Sequence, residues 1–255
     1  MTAISELLGF ARDLADLSRA VAMHWFRAPL QVDDKDDRTP VTRADREIEA
    51  LLRERITRRF PTHGILGEEH GSERLDAEFL WVLDPIDGTK AFSTGNPLFG
   101  TLIGLMQRGV PVLGVLDVPA LGERYSAARE LGAWRDGVAL HVREERPLDR
   151  AVVYCTTPEP FAGDRGFDVL RRRVRYTCYG GDCFAYALVA AGGADLVVDR
   201  GLKPYDWCAL VPILQSAGGA MCDVDGRALT LGSEGAVIAA TGVALMRAAG
   251  DLLRS

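Results

Sequence analysis

Acidic residues stand at several points of this chain where apolar runs begin or end. In FLWVLDPIDGTKAF, residues 79–92, the run Phe79 to Leu83 meets Asp84 and Asp87, with Gly88 and Thr89 next. Carboxylates this close raise each other's pKa unless a positive charge sits between them. Two readings fit the stretch. Asp, Pro and Gly are ordinary formers of an Asx-type turn, and clustered carboxylates are ligands for a hard divalent cation. Further acids repeat the pattern: Asp45 opens a helical segment, Glu68 and Glu69 follow the strand-like Gly64-Ile65-Leu66, and Asp206 precedes an apolar helix in KPYDWCALVPIL. Oxygen donors without a His or Cys ligand set favour Mg2+, Mn2+ or Ca2+ over Zn2+. The four histidines, His24, His63, His70 and His141, show no ligand spacing and are read as surface groups or neighbours of a site. Gly88 and Thr89 can present N–H groups to a phosphate at the start of a short helix through Phe92, and the Thr89 hydroxyl can orient a water. Carboxylates, cations and a phosphate cradle are the equipment for metal-assisted hydrolysis of a phosphate ester.

The elements that must carry these groups follow from periodicity. Leu7, Leu8, Ala11, Leu14, Ala15 and Val21 recur at helical spacing between about Ile4 and Phe26. After the polar loop QVDDKDDRTP, Thr42 reads as an N-cap with Asp45 three residues on, ahead of Ile48, Leu51, Leu52 and Ile56. A helix-start carboxylate is therefore the plain alternative for Asp45. Strands are expected at Phe79 to Leu83, and at Phe99 to Met106 and Val110 to Val118 as a hairpin. Asp136-Gly137 marks a second tight turn, between Ala133-Trp134 and Val138 to Val142. Beyond Pro147 the pattern alternates: strand at Ala151 to Cys155, helix around Asp168 to Arg173, buried helix at Cys183 to Ala191, strand at Leu196 to Val198, helix at Trp207 to Gln215, strand at Ala236 to Ala240 and helix at Val243 to Leu253. The first half mixes helices with largely antiparallel strands and the second resembles βα units, an α/β (mixed α+β) chain. No linker, repeat or low-complexity segment divides it.

Composition narrows the classes. Of 255 residues, 47% are apolar and 26% charged, as in ordinary globular proteins. A net charge of −6 argues against broad binding to nucleic acid or anionic membranes. No apolar run reaches the roughly 20 residues of a membrane span, and MTAISELLGFARDLADLSRA lacks the basic-then-apolar build of a signal peptide. Five cysteines with no C-x-x-C pair read as reduced thiols, and the cytoplasm is the expected compartment. Arg171-Arg172-Arg173 is read as a solvated helix face, with phosphate steering as the alternative.

GEE at 67–69, DPIDGT at 84–89 and YDW…AGG between 205 and 219, with TPVTRAD ending at Asp45 upstream, together resemble the inositol monophosphatase superfamily. The resemblance implies a layered αβαβα sandwich, one catalytic unit over 1–255, with 1–147 a metal-binding half and 148–255 an α/β half completing the site. It also implies Mg2+-dependent phosphomonoester hydrolysis with two or three ions, Mn2+ being a possible substitute. By position Glu68, Asp84 and the carbonyl of Ile86 would hold one ion, and Asp84, Asp87 and Asp206 a second. Glu69 would reach a third through water. Asp45 and Thr89, with Glu68, would orient and deprotonate the attacking water. Lys35 matches the family's loop lysine, a surface lysine being the alternative. A homodimer is the family's expected assembly.

Substrate contacts implied by the resemblance are Gly88, Thr89, Gly181, Asp182, Asp199 and Asp206. Asp182 stands where inositol-type members carry a small or hydroxyl residue, and Asp199 where they carry Glu. Acids there suit a leaving group bearing positive charge, because charge-assisted hydrogen bonds are the strong kind. GNPLFGTLIGL, GGDCFAYALVA and GLKPYDW resemble the histidinol-phosphatase branch, so L-histidinol phosphate is the expected substrate. The plain alternatives are an N-cap for Asp182 and a strand-end acid for Asp199. Departures from that branch are Val118 in place of Gln, Tyr125 in place of Trp, and Val224 in place of an aromatic. Two other readings stay open: an inositol-1-phosphate or broader sugar or nucleotide phosphomonoesterase, and a metal- and phosphate-binding protein without turnover.

Overall fold

The computed structural model describes residues 3–28, 32–34 and 40–255, with the side chains of 32–34, 40 and 41 left aside. Lys35 lies outside the described residues. Helix α1 (Ile4–Trp25) buries Leu7, Leu8, Ala11, Leu14 and Ala15 on one face. Short strands β1 (Val32–Asp34) and β2 (Pro40–Thr42) pair antiparallel. Helix α2 (Arg43–Arg59) starts on a capping box in which Thr42 and Asp45 bond reciprocally. The first large sheet is then laid down by β3 (Gly64–Gly67), β4 (Ser72–Glu73) and β5 (Phe79–Asp87). After the short helix α3 (Thr89–Ser93) it continues with β6 (Gly100–Gln107), β7 (Val110–Val118), β8 (Glu123–Ala128), β9 (Gly132–Arg135) and β10 (Val138–Ala139). Its order is β10-β9-β8-β7-β6-β5-β3-β4, antiparallel throughout except that β3 runs parallel to β5. The β6–β7 and β9–β10 turns have φ above zero at two consecutive residues, Arg108-Gly109 and Asp136-Gly137, the geometry a two-residue turn between twisted strands requires.

The second half supplies β11 (Val152–Cys155), α4 (Arg165–Arg173), β12 (Tyr176–Tyr179), α5 (Asp182–Ala190) and β13 (Leu196–Asp199). It ends with α6 (Pro204–Trp207), α7 (Leu210–Ser216), β14 (Ala220–Asp223), β15 (Val237–Ala240) and α8 (Val243–Leu253). Its sheet has the order β12-β11-β13-β15-β14, parallel through β12, β11 and β13 and antiparallel at β15 and β14.

Three apolar cores glue five layers. One lies between α1 with α2 and the outer face of the first sheet, around Leu14, Ile48, Trp81 and Ile103. A second fills the space between the sheets, where α5 and α7 pack with Leu102, Leu116, Val197 and Trp207. The third seats α4 and α8 on the far face of the second sheet, around Phe161, Phe167, Val198 and Leu245. This is the αβαβα sandwich. Among the described residues, no helix is long and apolar enough to cross a membrane.

Several local expectations need correction. The strand expected to stop at Leu83 runs on to Asp87, so Asp84 and Asp87 belong to a ladder rather than to an Asx-type turn. The single helix expected at Trp207 to Gln215 is two, α6 and α7. Strands β1, β2, β4, β8, β12 and β14 lie outside the expected strands, and β10 stops at Ala139. His63 is neither a surface group nor a neighbour of the acids: it is buried, stacked on Phe60, and its Nδ1 accepts from Trp81 Nε1 at 3.1 Å. All five cysteines are unpaired, four of them buried. Arg171, Arg172 and Arg173 are exposed at the end of α4.

One close approach matters for the site. Gly104 and Gly114 are paired across β6 and β7, and the Cys208-Ala209 backbone lies on them. A Cβ on Gly114 would overlap the Ala209 carbonyl. The glycines thus let the segment that follows Asp206 settle onto the sheet. Gly114→Ala is expected to lower stability by about 1–3 kcal/mol, the range for overpacking. Gly9→Ala in α1 is expected to raise it by up to about 1 kcal/mol, since open space surrounds it and alanine favours the helix. Denaturant melts of both variants check the pair of signs.

Candidate active site

Asp84 and Asp87 are three apart, and in a regular strand such residues face opposite sides. Here the β5–β6 register shifts between them: Asp84 pairs with Leu102 and Asp87 with Gly100. That one-residue bulge brings both carboxylates to the same side. Asp206, on the first turn of α6, joins them. Carboxylate oxygens of Asp84, Asp87 and Asp206 all lie within 4.8 Å of one another.

Backbone amides fix the carboxylates of Asp87, Asp206 and Asp45. The amide of Cys183, at the start of α5, donates to Asp87 Oδ2 at 2.6 Å, so a helix N-terminus faces that carboxylate. The amide of Lys203 donates to Asp206 Oδ2 at 2.6 Å. Asp45 Oδ2 accepts from the Thr42 amide at 2.9 Å and from its hydroxyl at 2.5 Å. Glu68, directly after β3, donates its amide to the Leu83 carbonyl beside Asp84. The Thr89 hydroxyl donates to the carbonyl of Ile86 at 3.1 Å.

Electrostatically the cluster is overloaded with negative charge. Asp84 is held well above the usual carboxylate range, first by burial and then by Glu68, Asp87, Asp206 and Asp45. Asp87 is raised likewise, by burial and then by Asp182 and Asp206. Burial pushes Asp206 up to about 7, its bond from Lys203 acting the other way. Burial pushes Asp45 up to about 6 against its bonds from Thr42, with Glu69 adding repulsion. Two fully buried oxygens, Asp45 Oδ1 and Asp84 Oδ1, have no hydrogen-bond partner among the described residues. A buried carboxylate oxygen with no donor is costly unless a cation meets it. Orphaned oxygens, mutual repulsion and an all-oxygen donor set fit a hard divalent ion.

Next to the acids opens a cleft of about 510 Å³. Glu68, Gly88, Thr89, Lys90, Gly181 and Asp182 line it, together with Thr156 and Thr157. Gly88 has φ +83° and caps α3, and a Cβ there would press on the Asp182 carboxylate and the Leu98 carbonyl. A smaller cavity of about 130 Å³ adjoins it, shared by Asp87, Asp182, Asp199 and Asp206. Asp182 borders both, at φ +41°, a left-handed conformation that costs a non-glycine residue energy. It does not cap α5: Gly181 holds that position, and its carbonyl takes the amides of Phe184 and Ala185. Burial raises the Asp182 pKa and Lys90 lowers it. Asp199, the last residue of β13, is buried and pushed up to about 6, chiefly by that burial. Its oxygens accept from the Thr156 amide at 2.7 Å, the Thr156 hydroxyl at 3.2 Å and the Tyr186 hydroxyl at 2.9 Å. Asp199 therefore anchors the wall of the cleft.

The inositol monophosphatase family matches this chain over residues 3–254. The chain belongs to that family. Over 230 residues it is 41% identical to a chloroplastic bifunctional phosphatase of Arabidopsis thaliana, a match covering 89% of this chain and 66% of the plant protein. A histidinol-phosphatase of Chlorobaculum parvum is 38% identical over 236 residues, 91% of each chain. The solved structure of an inositol monophosphatase from Zymomonas mobilis matches with a TM-score of 0.91 over all of both chains, at 42% identity. Family membership supports phosphoric monoester hydrolysis as the class of chemistry.

Three residues of this region escape a reading by acid spacing: Thr156, Tyr186 and Glu49. Thr156 follows the carboxyl end of β11, and strand ends on one rim are where such sites gather. The positions that depart from the histidinol-phosphatase pattern lie elsewhere. Val118 and Tyr125 are buried in the core between the sheets, and Val224 packs beside α8.

Proposed function

We propose that this chain is a Mg2+-dependent phosphatase acting on L-histidinol phosphate, its two halves working as one catalytic unit. The observation that carries the substrate is Asp182, a carboxylate wedged between the Gly88-Thr89 turn and the smaller cavity, with the N-cap position of its helix held by Gly181 instead. The likeness to the histidinol-phosphatase of Chlorobaculum parvum supports the reading.

In this reading Glu68, Asp84, Asp87, Asp206 and the carbonyl of Ile86 hold the ions, with Glu69 more distant. Bound Mg2+ supplies charge neutralisation at the phosphoryl group and activation of water. Gly88 and Thr89 hold the phosphate, Asp45 accepts a proton through its unpartnered Oδ1, and Thr89 orients the water. Gly181 and Asp182 receive the leaving alcohol, and Asp199 fixes Thr156 against it. Substrate binding needs a charge match: a cationic leaving group meets Asp182, and a second anionic group would be repelled there.

A second reading, an inositol-1-phosphate or broader phosphomonoesterase, is favoured by Lys90, a cation that also lines the cleft, and by the likeness to the Zymomonas mobilis protein. Phosphate release with Mg2+ from histidinol phosphate, inositol 1-phosphate and a nucleotide 3′-phosphate, with Asp87→Asn as the blank, separates them. We expect a preference for histidinol phosphate. Asp182→Asn should cut kcat/KM on it about 10- to 100-fold, the worth of a charge-assisted hydrogen bond, and spare inositol 1-phosphate. Equal losses on both would move the second reading ahead.

A further inference from the structure

We propose that Glu49 is a positioning residue for the acidic loop Gly67-Glu68-Glu69, holding it ready for a cation before any ion binds; this rests on the reading that Glu68 belongs to the metal site. Glu49 lies one helical turn after Asp45, on the same face of α2. It is fully buried. Its Oε2 accepts the amide of Glu69 at 2.6 Å, and its Oε1 accepts the amide of His70 at 3.0 Å and Arg53 Nε at 2.7 Å. Arg53 in turn bonds to the Gly71 carbonyl and to Glu73.

The loop is shaped around this carboxylate. A Cβ on Gly67 would overlap it, so only glycine leaves the room. The Gly67 amide closes on the Gly71 carbonyl at 2.9 Å. Glu68 is thereby pinned from both sides, between Gly67 against the Glu49 carboxylate and Glu69 bonded to it, while its own amide donates to Leu83. Repulsion needs such a clamp. Without a cation, Glu68 and Glu69 face Asp84 and Asp45, and like charges drive a free loop away from the site. A buried carboxylate accepting two successive amides with an arginine behind it opposes that drift with charge-assisted bonds.

Glu49→Gln keeps the shape but sets an NH2 group against one of the amide donors. In the metal-free protein, hydrogen exchange at the Glu69 and His70 amides is expected to quicken. The Mn2+ dissociation constant, read from free Mn2+ by electron paramagnetic resonance, should rise about 10- to 100-fold, with kcat restored at saturating Mn2+. Gly67→Ala, which evicts the carboxylate from its seat, should give both effects, and serves if Glu49→Gln fails to fold. Ile48→Val, a core change one position away, should give neither. Unchanged Mn2+ affinity and exchange in the Glu49 and Gly67 variants overturn the proposal, as does an equal loss of affinity in Ile48→Val. A wild-type protein that binds no Mn2+ sinks the metal-site reading and the proposal together.

Discussion

Asp84→Asn is expected to abolish catalysis and, in the metal-free protein at pH 8, to raise the melting temperature. The two signs come from one cause. Asp84 is buried, its Oδ1 has no donor among the described residues, and Glu68, Asp87, Asp206 and Asp45 all repel its charge. At pH 8 the folded chain must either keep a proton on this carboxyl or hold an unpaired charge. Asparagine is isosteric and neutral, so it removes the conflict. In the proposed function it also removes a metal ligand from the centre of the cluster, and bound metal would be worth several kcal/mol of transition-state charge stabilisation. Losing about 4 kcal/mol of that lowers kcat/KM about a thousandfold. Phosphate release and a thermal melt of the same preparation read both signs. A variant both inactive and less stable would show instead that the carboxylate is a structural hydrogen-bond acceptor.

Much of this site is legible in the chain because its acids are unusual residues at ordinary places. Asp45, Glu68, Asp84, Asp87 and Asp206 interrupt apolar segments, and charged groups at such positions need a reason. The arrangement is less legible. Asp-Pro-Ile-Asp-Gly reads as a turn by composition, whereas the strand continues and a bulge turns Asp87 to the side of Asp84. Bulges depend on the register of the neighbouring strand, which local sequence does not carry. Strand β8 was missed because Glu123, Arg124 and the small residues Ser126 to Ala128 lack the β-branched signature. Its burial comes from the helices packed on the sheet, and Arg124 is held by Asp117 of β7. Glu49 resembles any i,i+4 partner of Arg53, and only the fold shows that it also receives the amides of a loop some twenty residues on. Thr156 carries no charge to attract notice, and its part in the cleft comes from Asp199 across the sheet.

Stability of the metal-free protein is expected to fall as pH rises from 5 to 8, and Mg2+ is expected to reverse the fall. Carboxyl groups in an unfolded chain titrate near 4. In the folded chain Asp45 and Asp199 are pushed up to about 6 and Asp206 to about 7, with Asp84 and Asp87 also raised. Between these values the native state holds protons that the unfolded state has released. Stability therefore drops with rising pH, by about 1.4 kcal/mol per pH unit for each such proton. A divalent ion competes with those protons, so its stabilisation should grow from pH 5.5 to pH 8, and its binding should release protons. Melting temperatures with chelator and with Mg2+, alongside titration calorimetry in buffers of different ionisation enthalpy, test both statements. A metal-free melting temperature that is level or rising from pH 5 to 8 would mean that the acids reach their charged forms without strain. The case for a cation among Asp84, Asp87 and Asp206 would then lose its electrostatic basis.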